Sequence, residues 1–308
     1  MLTQNLSTTP LERLRTSMNQ ALVGKDDAVQ LVLVALLSGG HALLEDVPGV
    51  GKTLLAKSLA RSIDGQFHRV QCTPDLLPSD LTGTNIWNPQ AGKFEFVPGP
   101  IFTNVLLADE INRATPRTQS ALLEVMEEAQ VSLDGVSHPV EPPFFVIATQ
   151  NPVEHHGTFP LPEAQLDRFA LALSLGYPDA EQELEMLKRS QGKRDLSPQT
   201  PCISLDELRS LQAECQAVRV EEPVQRYMLD IVRATRQSDA IRLGVSPRGL
   251  VTLQRATQAL AFLSNRTFAL PDDVKRLVHP VLSHRLIPTR GQDKNGVLAD
   301  ILQDVEVY

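Results

Sequence analysis

The chain has 308 residues, 42% hydrophobic and 21% charged, enough for one large or two ordinary domains with cores of normal size. Its net charge of −8 sits in residues 1–178, which hold 11 Lys and Arg against 19 Asp and Glu; residues 179–308 hold 18 of each. An acidic first half is a poor match for a phosphodiester backbone, which argues against nucleic acid as the partner.

Three scattered cysteines (Cys72, Cys202, Cys215) with no CxxC pair argue against a disulfide framework or a zinc site. The N-terminus lacks a signal pattern, and the longest apolar run, residues 31–37, is too short to cross a bilayer. The expected setting is cytoplasmic, without membrane insertion.

In chain order, residues 10–38 predict two helices interrupted by "VGKDD" at 23–27. Apolar, strand-like runs follow at 41–45, 67–72, 104–110 and 144–150. Helical patterns lie between them at 52–63 and 116–129, the second opened by Thr115 as N-cap and Pro116 in its first turn. Alternating strands and helices predict a parallel sheet covered on both faces. Two hairpins interrupt the alternation, at 85–96 and at 130–140, where Asp134-Gly135 is the turn. Beyond about residue 178 the strands are expected to stop, and 179–308 reads as a smaller all-α domain with a loop at 189–201. The fold class is α/β: an αβα sandwich followed by a helical domain.

The chemistry gathers at strand ends. "GVGKT" at 49–53 follows a strand and opens a helix, the setting of a phosphate-binding loop. Backbone N–H groups of Val50 to Leu54 would point at a phosphate, Lys52 would neutralise its oxygens, and the Thr53 hydroxyl would ligate Mg²⁺. The general pattern has a glycine where this chain has Asp46. "VLLADE" at 105–110 ends a buried strand in two acids. Asp109 suits Mg²⁺, through water, and Glu110 suits activation of the attacking water. Asn151 follows the strand at 144–150 and is placed to meet a phosphate or the water. Arg168, and Arg248 in the first turn of a helix, are candidates to meet an anion. His155 and His156 adjoin in sequence, and His279 and His284 lack metal-ligand spacing, so all four read as loop or helix-surface residues.

The ordered strings "VPGVGKT", "LLADEINRA", "ATQNP", "LPEAQLDRF" and "SPRG" resemble the MoxR family of AAA+ ATPases, over Val23-Gly24 to "SHRL" at 283–286. The resemblance implies an AAA+ core at 1–178 and a helical lid at 179–308, with a helix-2 insert hairpin at 85–96 and a pre-sensor-1 hairpin at 130–140. Gly49, Val50, Gly51, Lys52, Thr53 and Leu54 would be Walker A, and Asp109 and Glu110 Walker B. Asn151 would be sensor 1, Arg168 the arginine finger acting on a neighbour, and Arg248 sensor 2. Val23 and Gly24 would lie beside the adenine, and Arg113 and Arg117 could also reach across an interface. ATP and Mg²⁺ are the implied cofactors. A hexameric ring is the implied assembly, with von Willebrand factor A domain proteins and protein clients as partners. The nucleotide is expected between core and lid. A nucleic-acid motor of the same clade would need basic hairpins, whereas residues 85–100 offer Lys93 against Glu95. A non-hydrolysing scaffold is the other alternative.

Overall fold

The computed structural model describes residues 9–22, 24–152, 157–191 and 200–307. The first domain runs α1 (Pro10–Ala21), α2 (Asp26–Leu37), β1 (Ala42–Glu45), α3 (Lys52–Ser62), β2 (Phe67–Gln71), α4 (Pro78–Thr82), β3 (Gly83–Asn88), β4 (Lys93–Pro98), β5 (Val105–Asp109), α5 (Pro116–Glu128), β6 (Gln130–Leu133), β7 (Val136–Pro139), β8 (Phe145–Gln150), α6 (Glu163–Leu166) and β9 (Leu171–Leu173). The second runs α7 (Ala180–Gln191), α8 (Leu205–Gln216), α9 (Glu222–Gln237), β10 (Ile241–Leu243), α10 (Pro247–Leu263), α11 (Pro271–Leu282), β11 (Ile287–Pro288) and α12 (Lys294–Asp304).

The central sheet is parallel, in the order β2-β5-β8-β1-β9. Its inner strands are apolar on both faces because helices cover both. On one side α1, α2 and α3 bury Leu33, Leu55, Leu59 and Phe145. On the other, α5 buries Leu106, Leu122, Leu123 and Val146. The first of these cores continues without a break into the second domain through Leu211, Tyr227, Ile231, Leu253 and Leu277. Helix α2 is the common wall, and Gln212 from α8 donates to the Leu36 carbonyl at its end.

Strands do not stop near residue 178. β10 and β11 form a small antiparallel pair in the second domain. β9, only three residues long, closes one edge of the main sheet. Such short runs carry no periodicity to read. Helix α7 extends to Gln191, inside the expected loop, and residues 192–199 of that loop lie outside the described residues, as do His155 and His156.

Both hairpins form. Asp134 and Gly135 have φ of 51° and 78°, the two left-handed residues that a type I′ turn needs. The 85–96 hairpin extends to 83–98 because Gly83 (φ 89°) lets its base close; a Cβ there would meet the Val97 carbonyl oxygen at 2.2 Å. The hairpins touch: Asn85 donates to Asp134 at 2.6 Å and Phe96 stacks on His138.

Candidate functional site

Parallel strands bring their carboxyl ends to one edge, and the loop 46–51 emerges there. Gly49 and Gly51 have φ of 90° and 103°, backbone that side-chain-bearing residues rarely adopt, and nothing lies within 4 Å of where a Cβ would stand. Gly51 is the N-cap of α3 and offers no side chain to the first N–H groups of the helix. Those donors are therefore left to an anion from outside, which fits a phosphate. Val50, Thr53 and Leu54 are partly exposed around this helix start. Lys52 is buried, its ammonium donating to the carbonyls of Asp46 (3.0 Å) and Val47 (3.4 Å), folded back over the loop.

Asp46 explains its own departure from the glycine pattern. Its buried carboxylate accepts from the Ser174 hydroxyl (2.6 Å) and from the N–H groups of Leu175 (2.6 Å) and Gly176 (3.1 Å). It fastens the loop to the segment that leaves β9. Gly24 and Lys25 lie against the same segment: Lys25 donates to the Gly176 and Tyr177 carbonyls, and Gln182 to that of Gly24. Val23 lies outside the described residues.

Two strands away, Asp109 and Glu110 close β5. The Thr149 hydroxyl accepts from the Glu110 N–H (2.9 Å) and donates to Asp109 Oδ1 (2.7 Å), locking the two acids to β8. Arg69 on β2 holds Asp109 Oδ2 at 2.7 Å. Glu110 sits at φ 57° and pairs with Arg113 at 3.0 Å. Asn151 follows β8 at the same edge and is half-buried. Arg117 is exposed in the first turn of α5. Behind the acids, burial and then the charges of Asp109 and Glu110 push the Cys72 thiol up to about 12, so it is not a nucleophile. Among the described residues no group of His, Cys, Asp and Glu forms a ready-made metal cluster. A donor set of one hydroxyl and one carboxylate, completed by water and phosphate oxygens, is what Mg²⁺ prefers.

Arg168 and Arg248 are not at this edge. They lie at the opposite one, beside the starts of β1 and β9, separated from the loop by the length of β1, roughly 13 Å. Both meet Glu127 at the end of α5: Arg168 Nε at 3.1 Å from Oε2 and Arg248 Nη1 at 3.0 Å from Oε1. With Gly40, His41, Thr252 and Arg255 they line an open cleft of about 210 Å³. The anion expected for an arginine in the first turn of α10 is thus Glu127 from the other domain.

A buried brace sets this pair. Asp167 accepts from Arg285 Nε (2.8 Å) and from the hydroxyl of Ser246 (2.8 Å), which is also the N-cap of α10. Arg285 has only 2% of its side chain exposed and also donates to the carbonyls of Asp167, Phe169, Ala170 and Val281. Asp167 precedes Arg168 and Ser246 is two residues from Arg248, so one carboxylate positions both. His284, expected at a surface, is buried beside Arg285 with its Nε2 on the Phe169 carbonyl, because the turn 283–285 plugs into the sandwich.

His41 is buried under the cleft. Its Nδ1 accepts from the Val146 N–H, so Nε2 carries the proton donated to the Met126 carbonyl. Burial, with a smaller push from Arg248, lowers its pKa to about 4. The unfolded chain binds this proton near the ordinary value of about 6.5 and the native chain does not. The native state therefore pays nothing above that pH and loses stability as pH falls toward 4, about 2 kcal/mol by pH 5. His284, lowered well below its ordinary value by burial and Arg285, adds in the same direction. Urea midpoints at pH 7.5 and 5.0 check this; equal midpoints would show that the buried imidazoles titrate freely.

Arg69, Thr149, Glu127, Asp167 and Arg285 were not singled out from the sequence. Their roles arise from contacts across 39 to 121 residues of chain, which no local pattern encodes.

Comparison with known proteins bears on the fold and the family. Residues 41–171 match the model of the ATPase family associated with various cellular activities (AAA), and 233–305 match the AAA lid domain. YeaC of Bacillus subtilis is 47% identical over 94% of this chain and 92% of its own length. Chaperone MoxR1 of Mycobacterium tuberculosis is 42% identical over 91% and 76%. A crystal structure from Cytophaga hutchinsonii superposes with a TM-score of 0.90 at 38% identity, over 97% of this chain and 95% of that one. The first matched segment lies within the sandwich and the second within the helical domain, and the chain belongs to the MoxR family of AAA+ ATPases.

Proposed function

We propose that this chain hydrolyses ATP in a closed ring of six copies and uses the motion to remodel protein clients, alongside von Willebrand factor A domain partners in the cytoplasm. The observation that carries the reading is the division of the catalytic set between two edges. Lys52, Thr53, Asp109, Glu110 and Asn151 stand at the carboxyl edge, Arg168 and Arg248 at the amino edge. Such a set is complete only where the amino edge of one copy meets the carboxyl edge of the next. Nucleotide then lies between copies rather than between the core and lid of one chain.

In this reading Gly49 to Leu54 cradle the β-phosphate, Lys52 turns from its carbonyl contacts to the β and γ oxygens, and Gly24 with Val23 borders the adenine. Thr53 and, through water, Asp109 would hold Mg²⁺, which supplies neutralisation of the phosphate charge. Glu110 orients the attacking water and takes its proton, Asn151 holds the γ-phosphate or that water, and a neighbour's Arg168 and Arg248 meet the charge that develops. Support for a protein client comes from the 83–98 hairpin, whose tip exposes Ile86 and the edge-to-face pair Trp87 and Phe94. Its one lysine, Lys93, is paired with Glu95, which disfavours a nucleic-acid track.

Turnover per subunit should rise with protein concentration as a ring appears in light scattering. A flat rate from a persistent monomer would overturn the shared site. Glu110→Gln should bind ATP and assemble but not turn over; hydrolysis by that variant would remove Glu110 as the base.

A further inference from the structure

The cleft at the amino edge holds three guanidiniums, Arg168, Arg248 and Arg255, and one carboxylate, Glu127. Glu127 offers one oxygen to a guanidinium from each domain. This is how two arginines grip an oxyanion. The contact is not needed to hold the domains, because the Asp167, Ser246 and Arg285 brace does that from a buried position. Nor is it strong: the Glu127 side chain is 43% exposed, and pairs so exposed contribute at most about 1 kcal/mol each. Arg255 stands one face along α10 from Arg248, at the i+7 position with Thr252 between them, and among the described residues it has no acid within ion-pair distance. The cleft therefore carries an excess of positive charge around a carboxylate that can leave.

We infer that Glu127 is a stand-in for the terminal phosphate of a nucleotide carried by a second copy of this chain, and that Arg255 joins Arg168 and Arg248 on that phosphate once it replaces Glu127. The inference rests on the shared-site reading above. A phosphate offers three oxygens and about two charges where Glu127 offers two oxygens and one, so it engages the third arginine and displaces the carboxylate. Glu127 keeps the two arginines assembled before a neighbour arrives and competes with the neighbour's phosphate when it does.

The experiment measures the protein concentration at half-assembly by sedimentation velocity, with Mg²⁺ and a slowly hydrolysed ATP analogue. Glu127→Gln, freed of the competitor, should assemble at about tenfold lower concentration than wild type, and Arg255→Gln at about tenfold higher. Opposite shifts are the signature, since a residue with a merely structural role would weaken assembly when replaced. Glu127→Gln that assembles no better than wild type overturns the stand-in, and Arg255→Gln that assembles equally well removes Arg255 from the phosphate. A wild-type chain that stays monomeric with saturating analogue overturns the shared site itself, and the stand-in with it.

Discussion

Arg168→Ala should lose about 10³ to 10⁵ in turnover while still binding ATP, the range that an arginine supplied to a transferring phosphoryl group is worth. The loss would be large because, in the proposed shared site, a fixed cation would meet the charge on that group at the moment it forms. The structure adds a sharper form of the test. Arg168 and the 46–51 loop stand at opposite ends of β1, farther apart than an arginine side chain reaches. Lys52→Ala disables the loop and leaves Arg168 intact; Arg168→Ala does the reverse. Each alone should be inactive. Mixed, they should regain a measurable part of the wild-type rate, because a Lys52→Ala copy lends its arginine to an Arg168→Ala neighbour. A mixture as inactive as its components would place Arg168 in service of its own chain's nucleotide and end the division of labour between the two edges.

Asp167→Ala should cost about 3–5 kcal/mol of folding stability, the consequence of leaving a buried guanidinium without its counter-charge. Burial pulls Arg285 below the ordinary arginine value, and Asp167 is the neighbour that offsets this. The carbonyls around Arg285 accept its hydrogen bonds but cannot balance its charge. The same substitution frees Ser246, so Arg168 and Arg248 lose their common support. Denaturant titration reads the stability. A loss under 1 kcal/mol would mean that water enters and the pair is not truly buried. Replacing both partners together, Asp167→Leu with Arg285→Met, should be far milder than either change alone, because no unpaired charge is left inside.

Much of this was legible beforehand, and the reasons are local. The loop at 49–53 shows itself as a candidate phosphate cradle because glycines, a lysine and a hydroxyl must be neighbours in sequence to be neighbours around a phosphate. The strands at 104–110 and 144–150 show themselves because a sheet covered on both faces demands unbroken apolar runs, and the acids at one end follow from where those runs stop. The 130–140 hairpin follows from Asp134 and Gly135 alone. What escaped was long-range or short. β9 has three residues and β11 two. Asp46 looked like a defect in a pattern until Ser174 to Gly176 gave it partners. Arg248 was legible as an arginine seeking an anion, but the identity of that anion, and the edge it occupies, depend on how the second domain is hung on α2.

That manner of hanging has a mechanical result. The apolar interior passes unbroken from Phe145 and Leu33 into Tyr227 and Leu277, and the 283–285 turn is plugged into the sandwich. Swinging one domain against the other would open this interior to water, so sandwich and helical domain travel as one rigid body. In the proposed ring the flexible joints would then be the contacts between neighbours, where the nucleotide would sit, and each hydrolysis event would reorient whole subunits rather than flex one.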